Sequence, residues 1–295
     1  MRKWSLPGQL FALRPRLRSI RIRTNDLKRT VKKAIKYILV AAAFVAIAYF
    51  APIPLAVLVL CGIYDVLRNP GVDASVFRQY FLKNGIGTWL ASPMNIVLDI
   101  LALPYWNKGV YWLEDLPKAY QDEISGLLKT ADEGGLVERL EKYMGDSPRA
   151  MVFFKWYGRD QDAPIEMPEF NRKFRFVRTI GVSAFRERER TSRHFGPFRP
   201  SLRVLYCLNE NVGEQAYIKV GPIENHWREN KLFIFDDTLL HQSFNETDEP
   251  RYVLFVDIIR PSYLPFVFDF AVSVIRVFFK GVNGIFYKNW KLVNN

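Results

Sequence analysis

From Tyr37 to Tyr64 the chain runs 28 residues without a charged side chain. An apolar run longer than about 18 residues reads as membrane-embedded. The 36 residues before it hold twelve Lys or Arg against one acid, Asp26, which leaves 30 basic and 29 acidic side chains for everything else. The formal net charge of +12 therefore belongs to the arm, and the body is close to neutral. This distribution excludes a nucleic-acid-binding core, which would spread basic residues over a folded face. Lys and Arg clustered ahead of an apolar run predict a cytoplasmic N-terminus held to anionic lipid heads. A cleaved signal peptide fits poorly, because its charged and apolar regions would both be much shorter. As one straight helix the run would reach about 42 Å against a hydrocarbon core of roughly 30 Å. Pro52 and Pro54 each remove a backbone donor inside it, so a kinked hairpin of two short limbs competes with a single tilted span.

Composition bounds the remainder. At 49% hydrophobic the chain can bury a core. Its two cysteines, Cys61 and Cys207, have neither the spacing of a zinc site nor that of a disulfide framework. Residues 65–83 are polar and mixed, and read as a connector. Thr88 to Trp106 is apolar but interrupted by Pro93, Asp99 and Pro104. A carboxylate inside a span costs about 2.5–3.5 kcal/mol, so the expectation is a helix lying on the membrane or packed on the domain. Leu113 to Tyr143 shows apolar residues at helical spacing (Ile124, Leu127, Leu128, then Leu136, Leu140) around Gly134-Gly135, which predicts two amphipathic helices.

After Pro148 the period shortens. Runs at Phe174–Ser183, Leu202–Leu208, Ala216–Val220, Lys231–Phe235 and Tyr252–Ile259, separated by Gly-, Pro- and Asn-rich breaks, predict an all-β sandwich or barrel. Beyond it, Tyr263–Trp290 carries Phe266, Phe270, Val274, Val277 and Phe278 on one helical stripe. That stripe suits either an interfacial helix or a cover over the β domain. The domain expectation is thus a basic arm (1–36), a membrane-embedded hairpin or span (37–64), a connector with helices (65–147), a β domain (148–261) and an amphipathic C-terminal helix (262–295).

The chain has three histidines, His194, His226 and His241. A non-haem iron centre needs neutral imidazoles, usually two with a carboxylate, and leaves positions open. An Arg beyond the second His can grip a carboxylate bidentately. His194-x-Gly-Pro, Ser201-Leu202-Arg203, Phe233-Ile234-Phe235-Asp236-Asp237-x-x-x-His241 and Arg251-x-x-Leu-Phe-Val-Asp257 follow in that order. Together they resemble the aspartyl/asparaginyl β-hydroxylases, a family of Fe(II)/2-oxoglutarate dioxygenases, and within it the bacterial lipid A 2-hydroxylases. Ser92-Pro93-Met94-Asn95-Ile96, Leu103-Pro104 and Phe154-Lys155-Trp156-Tyr157-Gly158 resemble the same branch.

The resemblance implies a double-stranded β-helix, a jelly roll of the cupin type, so the fold expected is mainly β with flanking helices and an N-terminal membrane hairpin. It implies His194 and His241 as the Fe(II) ligands, Arg251 as partner of the far carboxylate of 2-oxoglutarate, and Ser183 as a second contact to that cosubstrate, with dioxygen as the other. Trp227 and Asp236-Asp237 would be structural neighbours of the second ligand, and His226 a surface residue. Two departures stand out. His194-Phe195-Gly196 supplies no carboxylate where lipid A hydroxylases have His-x-Asp. Leu205 occupies a position where the family commonly has a His that helps to hold 2-oxoglutarate, and leucine donates no hydrogen bond. Arg186-Glu187-Arg188-Glu189-Arg190 puts alternating charge near the pocket mouth, as a solvated strand edge or as a clamp on an acidic headgroup. The function implied is hydroxylation of a fatty-acyl chain of a membrane lipid, of lipid A or aminolipid type, at carbon 2. The enzyme would sit at the bacterial cytoplasmic membrane and face the cytosol, where reduced iron and 2-oxoglutarate are found. Hydroxylation of a protein Asp or Asn, and a non-catalytic lipid-binding relative, are the alternatives.

Overall fold

A strand buried along its whole length, Arg251–Ile259, organises the molecule. The computed structural model describes residues 31–32, 34–35, 38–278 and 290–294. Its strands are β1 (Val110–Tyr111), β2 (Arg149–Trp156), β3 (Arg159–Asp160), β4 (Val177–Phe185), β5 (Glu189–Arg190), β6 (Ser201–Cys207), β7 (Ala216–Val220), β8 (Ile223–His226), β9 (Leu232–Phe235), β10 (His241–Asn245), β11 (Arg251–Ile259) and β12 (Lys291–Leu292). Its helices are α1 (Ile38–Phe50), α2 (Pro52–Leu67), α3 (Ala74–Arg78), α4 (Ile86–Leu101), α5 (Lys118–Glu133), α6 (Leu136–Met144) and α7 (Pro265–Phe278). The chain divides into two compact units, Met1–Val57 and Leu58–Asn295.

The larger sheet runs β1-β9-β6-β11-β4-β2-β12 with β3 beside β2, and the smaller runs β5-β10-β7-β8. Taken in chain order, β4 to β11 alternate between the sheets, apart from the β7–β8 hairpin in the smaller one. That is the eight-stranded jelly roll, two Greek-key layers packed face to face. The larger sheet also recruits β1 and β12, which lie outside the 148–261 range read from the sequence.

Side chains alternate across a strand, so each strand of the larger sheet serves two cores. Along β11, Tyr252, Leu254, Val256 and Ile258 join α5, α6 and α7 in one cluster, with Ile124, Leu127, Leu140, Phe268 and Val272. Val253 and Phe255 face the smaller sheet, with Leu205, Ile218 and Trp227. Arg251 shares the parity of this inner face. Burying a Leu or Phe side chain contributes about 1.5–3 kcal/mol, so the two clusters hold the layers together without help from charge.

The helical expectations separate into agreements and corrections. α5 and α6 form as read, broken at Gly134-Gly135, where Gly135 adopts a left-handed conformation (φ 55) that a side chain would disfavour. α4 packs Thr88, Ala91, Ser92, Asn95 and Leu98 inward and leaves Ile86, Leu90, Val97 and Ile100 exposed. Within residues 65–83, read as a connector, Asp65, Val66, Asn69, Val76 and Tyr80 are buried. The C-terminal helix is described over Pro265–Phe278; the rest of the reading to Trp290 lies outside the described residues until Trp290 itself, and residues 291–292 form a strand. Within α7, Phe268, Val272 and Ile275 are buried, whereas Phe266, Phe270 and Val277 of the expected stripe are exposed. Of the N-terminal region, the arm and Tyr37 lie outside the described residues, apart from a few positions between 31 and 35. No single described helix is long and apolar enough to cross a membrane, and α1 and α2 meet within the first unit at a bend of 116°.

Candidate metal and cosubstrate site

His194 and His241 are brought together by the backbone. The His194 amide donates to the His241 carbonyl (3.1 Å) and the His241 amide to the His194 carbonyl (3.0 Å), an isolated antiparallel bridge. The approach to His241 is fixed by a turn in which Asp236 Oδ1 accepts from the Thr238 amide (2.9 Å) and hydroxyl (2.7 Å). Such side-chain-to-backbone turns are what Asp favours between strands. The His194 side is tied by Gln242 Nε2 to the Thr191 carbonyl (2.7 Å) and by the Ser243 amide to Thr191 Oγ1 (2.9 Å). The two rings stand 4.3 Å apart, centroid to centroid.

Their tautomers follow from their partners. His194 Nδ1 lies 2.7 Å from the Ser192 carbonyl and His241 Nδ1 lies 2.8 Å from the Leu239 carbonyl. A carbonyl only accepts, so each Nδ1 carries the proton and each neutral ring offers its Nε2 lone pair. Burial, and then the neighbouring His194, push His241 down to about 4, so it is neutral at pH 7. This is the arrangement a metal-binding imidazole needs.

Asp237 brings a carboxylate to the edge of the histidine pair. Its Oδ1 lies 3.5 Å from His241 Nε2 and 3.1 Å from Arg203 Nη1, and it is buried without a well-formed hydrogen bond. Burial alone would favour the protonated acid, but the Arg203 guanidinium beside it holds its carboxyl below the usual range. The carboxylate occupies the space beside Gly196: a Cβ added there would stand 2.1 Å from Asp237 Oδ2 and 2.7 Å from the Asp237 carbonyl. No three His, Cys, Asp or Glu among the described residues converge tightly enough to hold an ion unaided. The residues nonetheless fit a divalent iron held by two imidazoles, with a carboxylate at its edge and open positions beside it. Gly196→Ala should therefore displace Asp237 and cost about 1–3 kcal/mol as overpacking, read as a fall in Tm of a few degrees. An unchanged Tm would mean that the loop yields freely.

Both histidines open onto a cavity of about 450 Å³ between the sheets, lined also by Ser183, Leu205, Phe235, Arg251 and Trp290. A hollow of about 480 Å³ elsewhere, between residues 210–213, 227–231 and 247–249, holds no histidine. Arg251 is 2% exposed. Its Nη1 donates to Ser243 Oγ (3.0 Å), its Nε has no partner, and its guanidinium lies 4.3 Å over the Phe185 ring. Among the described residues no carboxylate pairs with it, and burial lowers it to about 10, still charged at neutral pH. A buried cation without an acid is costly unless an anion arrives. Ser183 lines the same cavity, with its hydroxyl donating to the Val253 carbonyl (3.3 Å). Leu205 faces the cavity between Phe233 and Phe255 and offers no donor.

Residues 121–261 match the sequence model described as aspartyl/asparaginyl beta-hydroxylase. The chain is also similar to the ornithine lipid ester-linked acyl 2-hydroxylase of Rhizobium tropici, 33% identical over 102 residues. That match takes in 34% of this chain and 36% of the relative, so it spans about a third of the relative's length. Among solved structures, the likenesses include TT1209 from Thermus thermophilus (17% identical, TM-score 0.28, 42% of this chain and 95% of that one). Another is a 2OG-Fe(II) oxygenase family oxidoreductase from Burkholderia pseudomallei (11% identical, TM-score 0.29, 44% and 80%). With scores this low, the fold of residues 121–261 rests on its own strand order.

The remaining residues read from the sequence lie nearby or well apart. His226 Nδ1 contacts the Glu214 carbonyl (2.9 Å) and its ring stacks on Tyr217, away from the cavity. Trp227 is buried with its ring 5.9 Å from the Arg251 guanidinium, so it neighbours Arg251. Within the charged run, Glu189 pairs with Arg149 (2.6 Å), which lines the cavity, and Arg188 pairs with Asp248. Asp237 and Trp290 are the functional candidates that the sequence motif did not single out.

Proposed function

We propose that the protein is a membrane-associated Fe(II)/2-oxoglutarate-dependent hydroxylase of a fatty-acyl chain of a membrane lipid, of the ornithine-lipid or lipid A type, acting at carbon 2. The observation that carries this reading is Arg251, a buried guanidinium without an acid, opening onto the same cavity as two imidazoles with free Nε2 atoms. His194 and His241 would hold the iron. When bound, iron with 2-oxoglutarate and dioxygen supplies an oxidation that places one oxygen atom in a C–H bond while the oxo acid becomes succinate and carbon dioxide.

The chain's own part is to bind, orient and keep dry. The Ser192 and Leu239 carbonyls fix the proton on each Nδ1, so the metal-facing nitrogens stay unprotonated. Arg251 would take the far carboxylate of 2-oxoglutarate with its fork, and Ser183 adds a hydroxyl on the same wall. Phe235, Phe255, Leu205 and Val253 exclude water, which strengthens the charge-assisted pair. A lipid substrate is supported by the relative's printed activity and by the exposed apolar residues of α4 and α7 (Leu90, Ile100, Phe266, Phe270). The basic arm favours an anionic cytoplasmic leaflet.

The test is mass spectrometry of ornithine lipid and lipid A incubated with the purified protein, Fe(II) and 2-oxoglutarate. Gain of one oxygen on the acyl chain, dependent on 2-oxoglutarate, is expected. Arg251→Lys should weaken 2-oxoglutarate about ten- to a hundredfold, since an ammonium cannot reproduce a charge-assisted fork worth roughly 1.5–3 kcal/mol. Oxygen transfer to an Asp or Asn peptide instead would move the substrate to protein, and turnover without 2-oxoglutarate would sink the assignment.

A further inference from the structure

The segment at residues 290–294 is fastened to the large sheet more firmly than a chain end requires. β12 pairs with β2 in parallel, Lys291 with Ala150 and Leu292 with Met151, whereas the other pairings of that sheet are antiparallel. The Val293 amide donates to the Met151 carbonyl (2.9 Å). Asn294 takes both sides of Phe153, accepting from its amide and donating to its carbonyl (2.7 Å each), and reaches the Asp162 carbonyl (2.9 Å). These bonds deliver one large side chain, Trp290, to the wall of the cavity that holds His194, His241 and Arg251.

Trp290 lies on the Arg251 side of that cavity. Its ring is 5.2 Å from that of Phe185, and the other neighbour of Phe185 is the Arg251 guanidinium, 4.3 Å away. Strand register sets Arg251, Phe185 and Arg149 side by side, with Trp290 flanking them. An acid bound by Arg251 gains most when water is kept from the pair, because charge interactions strengthen as the surroundings become less polar. Phe185 is the lid on the guanidinium face, and Trp290 is what backs Phe185. Trp290 also lies beyond residue 261, where the family match ends.

We infer that Trp290 is a positioning residue for the dicarboxylic cosubstrate: it holds Phe185 against Arg251 and closes that end of the cavity to water. This rests on the dioxygenase reading above. It makes Trp290, held in place by residues 291–294, part of the binding site.

The test compares the full-length wild type with Trp290→Ala and Trp290→Phe, each loaded anaerobically with Fe(II), by calorimetric titration with 2-oxoglutarate. An aromatic pair is worth enough to predict a weakening of about three- to tenfold in Trp290→Ala, and less than about twofold in Trp290→Phe, which keeps a ring. Fe(II) affinity should be the same in all three, because neither imidazole touches the indole. A second readout is tryptophan emission: 2-oxoglutarate should change it in the wild type, and the change should be clearly smaller in Trp290→Phe, where Trp227 beside Arg251 still reports binding. Equal 2-oxoglutarate affinity in wild type and Trp290→Ala overturns the inference. If Trp290→Ala does not fold, an identical emission response in wild type and Trp290→Phe overturns it instead. Wild type that binds Fe(II) but no 2-oxoglutarate overturns the dioxygenase reading itself, and the role of Trp290 falls with it.

Discussion

Replacing either His194 or His241 by Ala is expected to abolish Fe(II) binding, and replacing His226 by Ala to leave it unchanged. The two rings supply the protein nitrogens available to the metal, and no tight cluster of three ligating residues stands ready among the described residues to compensate. Loss of a residue that merely orients a ligand costs about ten- to a hundredfold in metal affinity, so losing the ligand itself should exceed a hundredfold. His226 is engaged with the Glu214 carbonyl and lies 3.6 Å from Glu224, on another part of the surface. Anaerobic Fe(II) titration of the three variants measures this directly. Equal loss at all three positions would show that the ligands are misassigned.

The second large effect is on stability. Arg199 is fully buried, with Nη2 2.6 Å from Asp65, Nη1 2.7 Å from Asp99 and Nε 3.6 Å from Asp236. Arg68 and Arg260 join the same group, through Asp236 (2.6 Å) and Asp99 (2.6 Å). Arg199→Leu would leave three carboxylates around an apolar side chain. Removing one partner of a buried ion pair costs about 3–5 kcal/mol, equivalent to a Tm fall of roughly 10 °C for a domain of this size. Burial alone would favour protonated Asp236, yet Arg68, Arg199 and Arg260 hold its carboxyl well below the usual range. Its contribution is therefore complete above an unfolded value of about 4 and disappears only as the pH falls through the lower folded value. In Arg199→Leu the stranded carboxylates bind protons more readily, so the deficit should shrink as the pH is lowered from 7 toward about 5. A deficit that stays constant over that range would argue against the electrostatic origin.

How far the sequence could be read depended on whether a residue's role is local. His194, His241 and Arg251 were legible because their order and spacing already carry the resemblance. The β runs were legible from their length and turn chemistry, and Ala216–Val220 coincides with β7. Asp237 was visible only as a neighbour of His241. That it fills the space beside Gly196, 41 positions away in the chain, depends on the backbone bridge between two loops. The burial within residues 65–83 was not legible, because a buried polar side chain cannot be told from an exposed one in a sequence. Asp65 and Asn69 are polar and yet buried, the first bonded to Arg199 and the second donating to the Asp65 and Val66 carbonyls. The C-terminal stripe left two readings open for another reason: α7 is apolar on both faces, so periodicity could not say which face meets the sheet, nor that residues 291–292 pair as a strand.

The sharing of charge around Arg199 bears on where the chain can be shortened. The obvious cut removes the uncharged stretch and starts at Asp65. Yet the last turns of α2 bury Gly62, Asp65 and Val66, and Arg68 just beyond them reaches Asp236. Starting there would leave Asp65 at a frayed helix end, where it could no longer be held against Arg199. The boundary between the compact units lies earlier, at Val57/Leu58. A trimmed protein that begins near Leu58 keeps the helical turns that support its buried ions and carries a few apolar residues with them.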